Sequence, residues 1–231
     1  MKNMITIIIL GIILFTFPYK FTFSQQPEKV YSIVKQIHTF DWYKTAAEEW
    51  KKLIGENKTN AEAWMNYYTA NRMARMMYYE QWKNSQGNYF EELDTIVQHI
   101  EKSIPGTFEF YYIKYYNSNS MKEKDLENLF KAYKLGPDRP EVLDDMVKYY
   151  EIKQDKLNEK KFCQKWFESN DLSAGILNWN YNVLVSLEKD GIIITNGDND
   201  TFPIWILQYA KNIRPDITVM NIHLITIDDY R

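Results

Sequence analysis

The sequence predicts a mainly α-helical protein, an array of helical hairpins that ends in a short strand–helix–strand segment. Three observations predict it. Apolar residues recur at a period of roughly 3.6 from Glu28 to Asp190. Three helix-to-helix junctions within that stretch can be superposed, and Ile192–Asn221 then switches to β-branched runs flanking one helix. The chain has 231 residues and a formal net charge of -3 with both signs dispersed. It carries no basic block to neutralise a phosphate backbone, so nucleic acid is not an expected partner.

The first element is a leader. Lys2 precedes the apolar run Met4–Phe17, Pro18 breaks it, and Thr22-Phe-Ser24 supplies small residues before Gln25. That is the order of a secretory signal peptide, here residues 1–24, and it predicts an exported, periplasmic or envelope-associated protein. The run is short for a membrane span of about 20 residues, so the membrane is expected as a partner only through an uncleaved leader. Cys163 is the single cysteine, which excludes an internal disulfide and suits a small apolar core residue.

Residues 25–175 read as the helical region. Val30, Ile33, Val34 and Ile37 are spaced for one helix face, and Trp42, Ala46, Ala47, Trp50, Leu53 and Ile54 for the next. Asn60 is placed to cap a third helix running through Met73 and Met77. Asn84–Asn88 is a turn, and Phe90–Ile104 a helix stopped by Pro105-Gly106. Leu126–Leu135, Glu141–Glu151 and Leu157–Glu168 follow as helices. Ile176–Lys189, apolar on nearly every side, predicts a helix packed on more than one face that joins the array to the segment 176–231.

The junctions Lys58–Trp64, Pro105–Tyr111 and Pro137–Leu143 each place a turn, then Glu62, Glu109 or Glu141, then a large apolar residue two positions on. This resembles the tetratricopeptide repeat, whose period is about 34 residues. Tyr and Met replace the small residues usual in its first helix. Such an array stacks into a superhelix with a groove, which implies a protein or peptide partner. Most of the tyrosines suit core packing; Tyr67, Tyr111 and Tyr115 are the candidates for a partner-facing surface.

In the C-terminal segment, Ile192–Thr195 reads as a strand buried on both faces, and Ile217–Ile222 as its parallel partner. Between them lies a helix Phe202–Asn212, capped by Asp200 or Thr201, with Pro203 in its first turn. This is a Rossmann-like crossover, whose ligands lie beyond the carboxyl ends of the strands, where Asn196-Gly-Asp-Asn-Asp200 falls. Three readings stay open there. Asp198, Asn199, Asp200 and Thr201 cap the turn and helix; or Asp198 and Asp200 hold a hard cation, Ca²⁺ or Mg²⁺, aided by Asp228 or Asp229; or the loop binds a polar ligand such as a sugar or phosphate. No constellation for nucleophilic catalysis can be assembled.

Thr195–Pro203 with Trp205, Gln208, Arg214-Pro-Asp216, Val219, Asn221 and Leu224 resembles the soluble C-terminal segment of a bacterial membrane family akin to protein O-mannosyltransferases. Asn180–Lys189 resembles a variant of that segment in exported repeat proteins. The resemblance implies an envelope-associated protein and marks Asp198, Asn199 and Asp200. It does not imply transferase activity, because that chemistry is expected in membrane-spanning parts absent from this sequence. Two strands bury little alone, so the sheet is expected to continue beyond Arg231. The function expected is a helical-repeat scaffold for a protein partner. The alternative is an enzyme or a ligand- or metal-binding module of envelope glycan metabolism built on Gly197–Asp200.

Overall fold

The computed structural model describes residues 26–118 and 120–230; the expected leader lies outside them. Ten α-helices lie among the described residues: α1 (Phe40–Glu56), α2 (Ala61–Met77), α3 (Tyr79–Asn84), α4 (Leu93–Ser103), α5 (Phe108–Ser118), α6 (Glu123–Leu135), α7 (Leu143–Ile152), α8 (Lys156–Glu168), α9 (Ala174–Val185) and α10 (Asp198–Lys211). Strands β1 (Ile192–Thr195) and β2 (Thr218–Asn221) flank α10. Among the described residues no helix is long and apolar enough to cross a membrane.

The helix starts follow local chemistry. Asn60 accepts from the Ala63 N–H at 3.0 Å, and Thr39, Asp155 and Ser173 cap α1, α8 and α9 in the same way. α1 packs on α2, α5 on α6 and α7 on α8 as hairpins. Two cores result. One gathers Trp50, Tyr67, Met73, Trp82, Ile96 and Ile100 from α1–α4, and the other Leu129, Leu143, Val147, Phe162, Cys163 and Trp205 from α6–α10. Burying side chains of this size stabilises the fold by roughly 1.5–3 kcal/mol each. α5 links the two, giving Phe110 and Ile113 to the first core and Phe108, Tyr112 and Tyr115 to the second.

β1 and β2 pair in parallel with Ile192 opposite Thr218 and Thr195 opposite Asn221. α10 covers one face of this pair and packs on α8 and α9. The opposite face is open: Ile192 and Ile194 are 64% and 65% exposed, so β1 is not the strand buried on both faces that its composition predicts. Nor is α9 packed all round, since Trp179, Tyr181 and Val185 are exposed. It ends at Ser186, and Asp190 takes the left-handed turn before Gly191.

Two further expectations change. Val30, Ile33, Val34 and Ile37 lie on an extended segment with one turn, not a helix. Its backbone bonds go to distant side chains instead: the Val30 N–H donates to Asn66 Oδ1 at 2.8 Å. α10 starts at Asp198 rather than Phe202, with Gly197 as its N-cap and Pro203 inside the helix. A proline there leaves the carbonyl four residues back without its N–H. That carbonyl belongs to Asn199, and the buried Asn180 amide donates to it at 2.9 Å.

Candidate functional site

The loop after β1 is held by its own polar residues. The Asp200 carboxylate accepts from the Gly197 N–H at 2.6 Å and the Asn196 N–H at 2.9 Å, so both oxygens are committed. The buried Thr201 hydroxyl lies 2.6 Å from the Gly197 carbonyl and 2.8 Å from the Thr195 hydroxyl, and it accepts from Asn221 Nδ2 at 2.9 Å. Asn221 in turn accepts from the His223 and Leu224 N–H groups, and His223 Nε2 stands 3.0 Å from Asn196 Oδ1. Asn199 Nδ2 donates to the Val34 carbonyl at 3.0 Å. Asp200 and Thr201 are thus spent on the turn, as the capping reading predicts. Asp198 alone of the four makes no side-chain hydrogen bond among the described residues.

In front of this loop is a cavity of about 570 Å³. Val34, Ile176 and Trp179 form its apolar wall, and Asn196, Asp198, Asn199 and Asp200 its polar one. Trp179 is 69% exposed, which is unusual for so large an apolar ring. The cavity lies beyond the carboxyl end of β1, where a crossover of this kind presents its ligand site.

Sequence reasoning missed what stands beside Asp198. Burial raises the Asp198 pKa, as do Asp145 and Asp200, while Lys148 and His223 lower it. Asp198 keeps contact with solvent although protein surrounds it, as in a recess. Asp145 on α7 accepts from the Tyr115 hydroxyl at 2.9 Å and pairs with Lys148. Burial and the neighbouring Asp145 push the Asp144 carboxyl well above the usual range. The Tyr112 hydroxyl, raised by burial and by these two acids, has no hydrogen-bond partner among the described residues. In sequence, Asp144 and Asp145 are simply acids in the first turn of a helix, and nothing local connects them to the loop.

A larger cavity, about 760 Å³, lies between α8 and β2. Its acid Glu151 is already bonded to Lys156 and Tyr230, so the smaller cavity carries the freer chemistry. Among the described residues no group of three or more His, Cys, Asp or Glu side chains stands where it could hold a metal ion.

The tyrosine candidates are placed differently from expectation. Tyr67 is 1% exposed with its hydroxyl on Glu91, and Tyr115 is 4% exposed on Asp145. Both rings therefore pack the interior rather than face a partner. Tyr111 is half-buried beneath the Lys131 ammonium.

No curated protein and no solved structure matches the chain. The family model of TMEM260-associated domain 2 does match, over residues 177–231. The matched stretch takes in most of α9, the loop, α10 and both strands. It is consistent with the C-terminal part of the TMEM260, protein O-mannosyltransferase-like, family.

Proposed function

We propose that the protein binds a neutral, hydroxyl-rich ligand of the glycan class in the cavity before Gly197–Asp200. The observation that carries this reading is the pairing of the unbonded Asp198 with the exposed Trp179 across one cavity. A pyranose has an apolar face that suits an indole and hydroxyls that suit a carboxylate and amides. Asp198 and Asp200 line the cavity and no cationic side chain does, which disfavours an anionic ligand. Phosphate is therefore the poorer guest, and a divalent cation would find only one uncommitted carboxylate in the loop.

In this reading the helices are degenerate tetratricopeptide-like hairpins and the C-terminal segment is Rossmann-like. The protein is exported and works in the cell envelope as a binding module, not as a transferase. A second reading, a scaffold for a protein partner, is favoured by the open sheet face bearing Ile192 and Ile194. The discriminating experiment is tryptophan fluorescence and calorimetry of the full chain with a panel of neutral hexoses, N-acetylhexosamines and their short oligomers. Saturable binding abolished by Asp198→Asn and by Trp179→Ala supports the glycan reading. Binding that survives both substitutions, or none at all, removes it.

A further inference from the structure

Residues 28–37 lie across the molecule as an extended strap. Their backbone makes few bonds of its own, only a turn in which the Lys35 and Gln36 N–H groups reach the Ser32 carbonyl. Several of its other main-chain groups meet side chains of distant elements. Trp50 Nε1 donates to the Glu28 carbonyl at 3.1 Å, Asn66 Oδ1 accepts the Val30 N–H at 2.8 Å, and Asn199 Nδ2 reaches the Val34 carbonyl at 3.0 Å. Two lysines complete the seat: Lys29 pairs with Glu141 just before α7, which Arg139 also holds, and Lys35 with Asp171 between α8 and α9, which also accepts from Trp166 Nε1.

The receiving face carries a fixed acceptor of its own. Asn66 is 2% exposed, and its own amide donates to the Glu62 carbonyl at 2.9 Å, which fixes Oδ1 toward the strap. A buried acceptor so fixed is costly to leave unpaired. The strap itself leaves much of its apolar surface open. Val30 is buried, but Tyr31, Val34 and Ile37 are 38%, 40% and 63% exposed. Segments with few buried apolar contacts and peripheral hydrogen bonds open at the least free-energy cost.

We propose that this face is a docking site for an extended basic segment of another polypeptide, and that residues 28–37 are its resident occupant. Main-chain groups and two lysines carry the recognition, so an incoming segment brings an N–H to Asn66, a cation to Asp171 and a second beside the Arg139-paired Glu141. The charge complementarity selects a basic segment over an acidic one. Exchange would also withdraw Val34 from the wall of the cavity before the loop. The proposal does not rest on the glycan reading and stands or falls separately.

The test uses the full chain and a fluorescent synthetic peptide of residues 27–38, read by anisotropy. A tethered strap competes at an effective concentration on the order of millimolar, so the wild-type chain should bind the peptide weakly. A chain carrying Lys29→Glu and Lys35→Glu, both on the surface, should bind it at least ~10-fold more tightly. A peptide with both lysines changed to Glu should bind neither chain. Excess native peptide should also speed amide hydrogen exchange at Val30 of the wild-type chain, a readout that does not depend on the variant folding. Equal affinities for the two chains, equal binding of the acidic peptide, or exchange at Val30 unchanged by the peptide would overturn the proposal.

Discussion

The Asn180 side-chain amide donates to the Asn199 carbonyl at 2.9 Å, and it does so because Pro203 cannot. Asn180 spends its second N–H on the Ile176 carbonyl, also at 2.9 Å, so the residue ties α9 to the first turn of α10. Asn180→Ala should destabilise the fold by about 1–3 kcal/mol, the cost of leaving a buried polar group unpaired. Pro203→Ala restores a backbone donor to the Asn199 carbonyl. The double variant should therefore lose less than the sum of the two single losses. A denaturant double-mutant cycle measures this, and strict additivity would show that the two residues are not coupled.

Asp200 makes a separate contribution at the same helix start. Its two oxygens satisfy the Asn196 and Gly197 N–H groups, a cap formed from the third residue of the helix rather than from the N-cap. Asp200→Ala should cost about 0.5–2 kcal/mol in chemical denaturation. Asp200→Asn keeps one acceptor and should cost less. An unaffected midpoint in the alanine variant would mean that water replaces the cap.

The hairpin helices and the Asn60 cap were legible in sequence because their causes are local. Asn60 stands just before its helix, and Glu62, Glu109 and Glu141 recur at the same place in each junction. The strap was not legible. Val30, Ile33, Val34 and Ile37 have helical spacing, but the N–H of Val30 goes to a side chain 36 residues away. Periodicity cannot report a bond of that kind. The loop was found from its composition, whereas Asp144, Asp145 and Lys148 come near it from α7 through tertiary packing alone. The faces of β1 and α9 were misread for a related reason: an apolar run states what could be buried, not what covers it.

Glu159 should make stability depend on pH. Burial first, and then Glu151, push its carboxyl up to about 8, and one of its oxygens is buried without a partner. The native state therefore holds a proton that the unfolded chain releases in the ordinary carboxyl range. Stability from this group is greatest at low pH and falls as pH rises from the carboxyl range toward about 8. Lys156, bonded to both Glu151 and Glu159, opposes the loss by holding the ionised form. Glu159→Gln should raise the denaturation midpoint relative to wild type, by a margin that widens across that window. A margin constant with pH would place the cause elsewhere.

Asp198 separates a structural carboxylate from one kept for binding. As the first residue of α10 it gains from the helix dipole, typically about 0.3–1 kcal/mol. Burial and the nearby Asp145 and Asp200 act against its charge, and the net result is a raised pKa. A carboxyl raised in this way favours the folded state less as pH rises above the carboxyl range. The native protein at neutral pH therefore bears a cost to keep Asp198 ionised. Asp198→Asn should raise the melting temperature at neutral pH, and the gain should shrink as pH falls into the carboxyl range. The same substitution should abolish the glycan binding proposed above. A residue retained for folding would show the reverse, with lower stability and binding intact, and that outcome would return the loop to a purely structural role.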